Sequence, residues 1–191
     1  MISMQVILEK VKADPLYQKN VEYGEPRPGH PEGAVKNHIA DLEANLEELQ
    51  RLGRIQSDED YWKLKFMIHV HDLFKAEAEK NTPTLHPRNH ASLARGYASQ
   101  FMDDADLLNM IQYHDENYKL WKEYQQNGSY DLQRFQTLLE SIQNLDLFLL
   151  FIIIDGCTKG KVQKKLGWFI GEVRKYRKTR VDGTWVLPSA T

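Results

Sequence analysis

Apolar residues along this chain recur at spacings of three and four rather than two. Between Pro31 and Leu52, the residues Val35, Ile39, Leu42, Leu46 and Leu49 draw one stripe, as on a helix with a single face turned to a core. Ser57-Asp58-Glu59-Asp60 supplies a capping residue and an acidic first turn, so the next helix is expected to start there and run to about Glu77. Prolines 83 and 87 mark residues 81–88 as a loop, and a helix from about Asn89 to Phe101 follows. Asp103-Asp104-Ala105-Asp106 reads as another helix start, leading into Leu107–His114. Asn127-Gly128-Ser129 is a turn, after which one long helix is expected from about Asp131 to Cys157. The last helix, about Gly160 to Tyr176, carries Val162, Leu166, Phe169, Val173 and Tyr176 on one stripe, and the tail Thr184–Leu187 is apolar enough to dock on the body. The fold class is therefore all-α.

Composition narrows the class without changing it. The 191 residues, 41% hydrophobic and 27% charged, fit one globular domain spanning 1–191 and exclude disordered and fibrous chains. The longest apolar run, Leu147–Ile154, is far short of the roughly 20 residues a membrane helix needs and reads as a core segment. Cys157 is the single cysteine and has no internal disulfide partner, and the N-terminus lacks a secretory pattern, so the expected location is cytoplasmic. The net charge of −2 hides a split. Nine Lys/Arg against Glu172 and Asp182 give residues 159–191 a charge of +7, which leaves −9 on residues 1–158. That basic end leaves nucleic acid open as a partner, with binding that would weaken steeply as salt rises, although a solvated helix face balancing an acidic body is the better explanation.

The chemistry starts at His71-Asp72. These two polar residues sit near the end of an otherwise apolar helical stretch, where burial without partners is costly, and a bound metal ion offsets that cost. At about 100° per residue, His71 shares a sector with Tyr61, Leu64, Met67 and Ile68 and points inward. His69 falls on another face and is expected as a second-face or surface residue. Lys75, one turn on from His71, suits an anionic substrate such as a phosphate. His38 lies at the margin of the stripe of Val35, Ile39 and Leu42. Asp155 closes the apolar run, where a buried carboxylate either finds a cation or raises its pKa. Together His38, His71, Asp72 and Asp155 form a mixed nitrogen and oxygen set that suits Mn²⁺, Fe²⁺, Zn²⁺, Co²⁺ or Ni²⁺ better than Mg²⁺.

Two stretches extend this set into a resemblance. Gly29-His30-Pro31-Glu32-Gly33-Ala34-Val35-Lys36-Asn37-His38 resembles the HPEG-x-V-x-x-H form of the first ligand segment of HD-domain metal-dependent phosphohydrolases, found for example in HD domains attached to tRNA nucleotidyltransferases. His71-Asp72-Leu73-Phe74-Lys75 resembles their HD-x-x-K segment, and Asp155 falls where the late Asp is expected. The resemblance covers about residues 28–160 and leaves the basic helix and tail, about 160–191, outside it. It implies a bundle of about six to eight helices with a metal in its core, held by His38, His71, Asp72 and Asp155.

The resemblance also implies roles for two histidines between these segments. His90 and His114 match the intermediate histidines of members that bind a second metal through a bridging Asp, except that the usual second histidine pair here is His114-Asp115. They are expected to ligate a second metal, to contact the substrate phosphate or its attacking water, or to be structural. The expected function is metal-assisted hydrolysis of a phosphate ester, a small nucleotide or phosphorylated metabolite, with Asp72, Lys75, His90 and His114 as catalytic residues. The alternatives are a di-iron oxygenase of the same type and a non-catalytic metal- or nucleotide-binding sensor. Asp115 is expected to exchange protons or to cap a helix. His30 and Glu32 are expected to shape a turn or bond a ligand, Arg88 and Arg95 to add charge at the pocket mouth, and His86 to be exposed in its loop.

Overall fold

The apolar run Leu147–Ile154 has no polar face to offer water, so the helix that contains it must be enclosed on all sides. The computed structural model describes residues 2–28 and 31–188. Those residues form ten α-helices and one 3-10 turn, with no β-strand. The chain is all-helical, as expected, with more helices than six to eight. In order they are α1 Met4–Ala13, α2 Pro15–Asn20, α3 Val35–Arg51, α4 Asp58–Val70, α5 His90–Ala98, α6 Ala105–Tyr113, α7 Glu116–Asn127, α8 Leu132–Ser141, α9 Leu145–Gly156 and α10 Lys164–Tyr176, then the turn Gly183–Trp185.

Two apolar helices organise the packing. Every residue of α9 from Leu147 to Ile154 is buried, with α3, α4 and α10 against it. Helix α4 also meets α1, α3 and α6, which is why Phe66 and Val70 are as buried as Leu64, Met67 and Ile68 on the neighbouring sector. One apolar cluster runs through the molecule from Leu8 to Leu187. The stripe Val35, Ile39, Leu42, Leu46 and Leu49 is buried along α3. Ser57 caps α4 by accepting from the Asp60 N–H at 3.1 Å, and the tail docks through Val181, Trp185 and Leu187.

Several expected boundaries moved, each for a local reason. Helix α4 stops at Val70 instead of about Glu77, because the His71 ring donates from Nδ1 to the Met67 and Ile68 carbonyls at 3.1 Å each, competing with the backbone as polar side chains do. The single helix expected over 131–157 is two, α8 and α9, bent by 114°. Asp106 accepts the Gln143 and Asn144 backbone N–H groups at 2.7 and 2.8 Å, and Asn144 caps α9 by accepting from the Leu147 N–H. Val162 and Tyr176, expected on the buried stripe of α10, are 60% and 47% exposed. Helix α7 was not expected, because its sequence is mostly polar and buries only Glu116, Asn117 and Leu120.

Helices α9 and α10 meet at Gly156. A Cβ there would lie 2.5 Å from Leu166 Cδ2 and 3.0 Å from Cδ1, so glycine permits the approach. That contact fixes the start of α10, and with it Lys161 and Lys165, beside the C-terminal end of α9.

Candidate metal centre

The site forms where helix ends converge, because side chains there project past the backbone into shared space. His38 is in the first turns of α3, His71 is the capping residue after α4, and Asp72 and Lys75 follow in the turn. His90 opens α5, His114 caps the end of α6, Asp115 precedes α7, and Asp155 ends α9. Sequence separations of up to 117 residues close to 3.0 Å, the distance from His38 Nε2 to Asp155 Oδ1.

The ring nitrogens are sorted by their neighbours. A carbonyl oxygen only accepts, so Nδ1 of His71 carries the proton toward Met67 and Ile68, and Nδ1 of His114 carries it toward Ile111 at 2.8 Å. That leaves Nε2 of each neutral ring with a lone pair aimed into the site, the arrangement that ligating histidines use. His71 Nε2 is fully buried and makes no hydrogen bond among the described residues. On His38, Nδ1 faces the buried Glu32 Oε1 at 3.1 Å, a carboxylate that orients the ring.

Two groups of ligand atoms result, His38, His71 and Asp155, and Asp72, His90 and His114, each set lying within 4.8 Å of one another. Asp72 stands between them. Its Oδ2 is 3.3 Å from His71 Nε2 and 3.7 Å from His38 Nε2, while its Oδ1 is 3.6 Å from His114 Nε2 and 3.8 Å from His90 Nε2. Donor atoms about 2.1 Å from a common ion lie about 3 to 4 Å apart, so these spacings and the unbonded His71 nitrogen fit a metal ion. The buried His/Asp groups can hold one. The donor chemistry, imidazole with carboxylate, suits a divalent transition metal.

The charges balance locally. Burial raises the Asp72 pKa, yet Lys75 at 2.5 Å and His71 hold it well below the ordinary carboxylate range. Burial acts the same way on Asp155, and Lys161 at 2.7 Å with His38 keeps it ionised. Asp115 is likewise held low against burial by His114 and His90, the latter at 3.2 Å. Burial pushes His71 down, whereas for His38 and His114 the adjacent carboxylates outweigh it and raise the pKa. Over the site opens a cavity of about 420 Å³ lined by Asp72, Asp115 and Asp155 and by Arg27, Lys75, Lys161 and Lys165.

Every expected ligand, His38, His71, Asp72 and Asp155, lies in this cluster, and His90, His114 and Lys75 join it. Other expectations are corrected. Asp115 makes no cap bond to α7 and faces His90 instead. Glu32 pairs with His38, a candidate ligand, rather than only shaping its turn. Gly33 makes that possible, with φ +76° and Pro26 Cδ 2.8 Å from where a Cβ would stand. His30 lies outside the described residues. Arg88 is exposed and pairs with Glu79 at 3.5 Å, and Arg95 donates to Asn109 at 2.7 Å, so neither is at the pocket mouth. His86 is half-buried and accepts from the Arg88 N–H. His69 stays out of the cluster, as expected, but is buried rather than at the surface, bonded to Tyr17 and Glu43 at 2.6 and 3.1 Å.

Sequence reasoning missed Arg27, Lys161 and Lys165, because no helical period links them to the ligands. The Gly33 turn and the small Gly156 hinted at close approaches, but not at what approached. Of the nine C-terminal cations, Lys161, Arg174, Lys175, Arg177 and Arg180 have partners within the chain, so this end is not one open basic face. Comparison with family models, with curated proteins and with solved structures gives no match.

Proposed function

We propose that this chain is a metal-dependent hydrolase of small phosphate esters, nucleotides among them, built on an HD-type scaffold. The observation that carries the reading is Asp72, whose two oxygens face two separate His-containing groups beneath a cavity rich in cations. A metal there would be held by His38, His71, Asp72 and Asp155, and a second by Asp72, His90 and His114. When bound, such an ion polarises a phosphoryl oxygen and lowers the pKa of a water.

The chain's own residues supply the rest. Lys75 lies between Asp72 and the cavity and stabilises charge developing on the phosphoryl oxygens. Asp115 borders the cavity and its carboxylate is suited to take up the proton of the attacking water. Glu32 holds the His38 ring against rotation, and the enclosing apolar helices keep bulk water from the buried side.

The test is turnover of a panel of phosphate esters by protein loaded in turn with Mn²⁺, Fe²⁺, Co²⁺, Ni²⁺ and Zn²⁺. Hydrolysis that falls about 100-fold or more in Asp72→Ala supports the reading. Ligand binding without turnover under every metal would sink it in favour of a sensor. The group Asp72, His90 and His114 also favours a second reading, a di-iron oxygenase, because two irons require both of those histidines. Protein purified without oxygen and found to hold a single, redox-inert metal excludes that.

A further inference from the structure

Lys165 is a buried cation of the site cavity that makes no ion pair among the described residues. Its side chain is buried, with the residue only 7% exposed, and among the described residues its ammonium has no hydrogen bond or ion pair. Its one close partner is the face of the Tyr118 ring, 5.3 Å from centroid to Nζ, a contact that orients an ammonium without neutralising it.

Its position compounds the cost. Lys165 lies in the first turn of α10, where the helix macrodipole disfavours positive charge. Two of the nearby carboxylates already have lysine partners, Asp155 in Lys161 at 2.7 Å and Asp72 in Lys75 at 2.5 Å, and Asp115 faces His90 at 3.2 Å. A lysine that is buried, unpaired and at a helix N-terminus lowers stability unless an anion arrives from outside. Arg27, which lines the same cavity and is exposed, is the other cavity cation without an ion pair among the described residues.

We propose that Lys165 binds the phosphoryl group of the substrate, with Arg27 at the rim, and that the substrate is a dianionic phosphate monoester rather than a monoanionic diester. The inference rests on the hydrolase reading and names the charge state and a binding residue for it. Lys165 and Arg27, the two cavity cations without an ion pair among the described residues, and the charge of a divalent metal all favour a dianion, and a monoester presents three terminal oxygens where a diester presents two. Lys165 belongs to the part of the chain outside the HD-type resemblance, so substrate choice resides in the C-terminal helix while the ligands reside in the preceding bundle.

The experiment is calorimetric titration of the full metal-loaded chain with inorganic phosphate and with dimethyl phosphate, a monoanionic diester. In Lys165→Met, which keeps the length of the stem, phosphate affinity should fall by about tenfold to a hundredfold. Metal content should be unchanged and Tm equal or higher, because a buried unpaired charge is gone. Lys164→Met, removing an exposed charge from the same turn, should change affinity less than about twofold. Wild-type affinity unchanged by Lys165→Met overturns the role of Lys165, as does a loss accompanied by equal loss of metal. Dimethyl phosphate binding as tightly as phosphate overturns the monoester assignment. If the wild-type protein binds neither anion, the hydrolase reading falls with the inference; turnover with an indifferent Lys165→Met removes the inference alone. Should that variant not fold, amine acylation of the wild-type chain decides, with phosphate expected to protect Lys165 and not Lys164.

Discussion

His71 draws its role from both of its ring nitrogens. One is committed to the carbonyls of Met67 and Ile68 and the other is buried without a hydrogen bond, so the residue that ends a helix also presents a lone pair. Glu32 does the corresponding service for His38, and its removal gives a prediction at this scale. Glu32→Gln should weaken metal binding about 10- to 100-fold, measured by competition with a chromophoric chelator. An unchanged affinity would show that the ring needs no such support. The four candidate ligands were legible as residues because His and Asp are costly inside apolar helical stretches. Arg27 and Lys165 were not, since a charged residue near a turn or a helix start looks the same whether it faces solvent or a cavity.

At the scale of elements, the breaks matter more than the helices. A straight helix over 131–157 would have carried Asp155 on an axis continuous with α8; the Asp106 clasp on Gln143 and Asn144 turns α9 into the core and brings Asp155 to His38. Asn144 followed by Asp146 was a readable cap, masked by the strength of the flanking apolar pattern. The α9–α10 contact yields paired predictions. Gly156→Ala should lower stability by about 1–3 kcal/mol, because Leu166 is fully buried and has little room to move. Gly167→Ala, on the exposed side of α10 with nothing within 4 Å, should raise stability by about 0.5–1 kcal/mol. Chemical denaturation midpoints of both variants check the pair, and a neutral Gly156→Ala would mean the helices are not in close contact.

On the scale of the whole molecule, the cluster gathers ligands from α3, the turn after α4, α5, the end of α6 and α9. A metal held there would tie five parts of the bundle together and should stabilise all of them at once. At a free metal concentration 100 times Kd the gain is about 2.7 kcal/mol, visible as a rise in Tm that a chelator reverses. Asp72→Ala, which removes the carboxylate common to both groups, should abolish the rise; a rise that survives would locate the metal elsewhere. The all-helical class, the buried stripe of α3, the wholly apolar run of α9 and the candidate donor residues could be read along the chain, because burial periodicity and ligand chemistry are local properties. Where helices stop, which cations enter the cavity and the place of Asp72 between two groups emerge only from the folded packing. Those depend on contacts between residues up to 117 positions apart, and no pattern along the chain encodes which helix end will meet which.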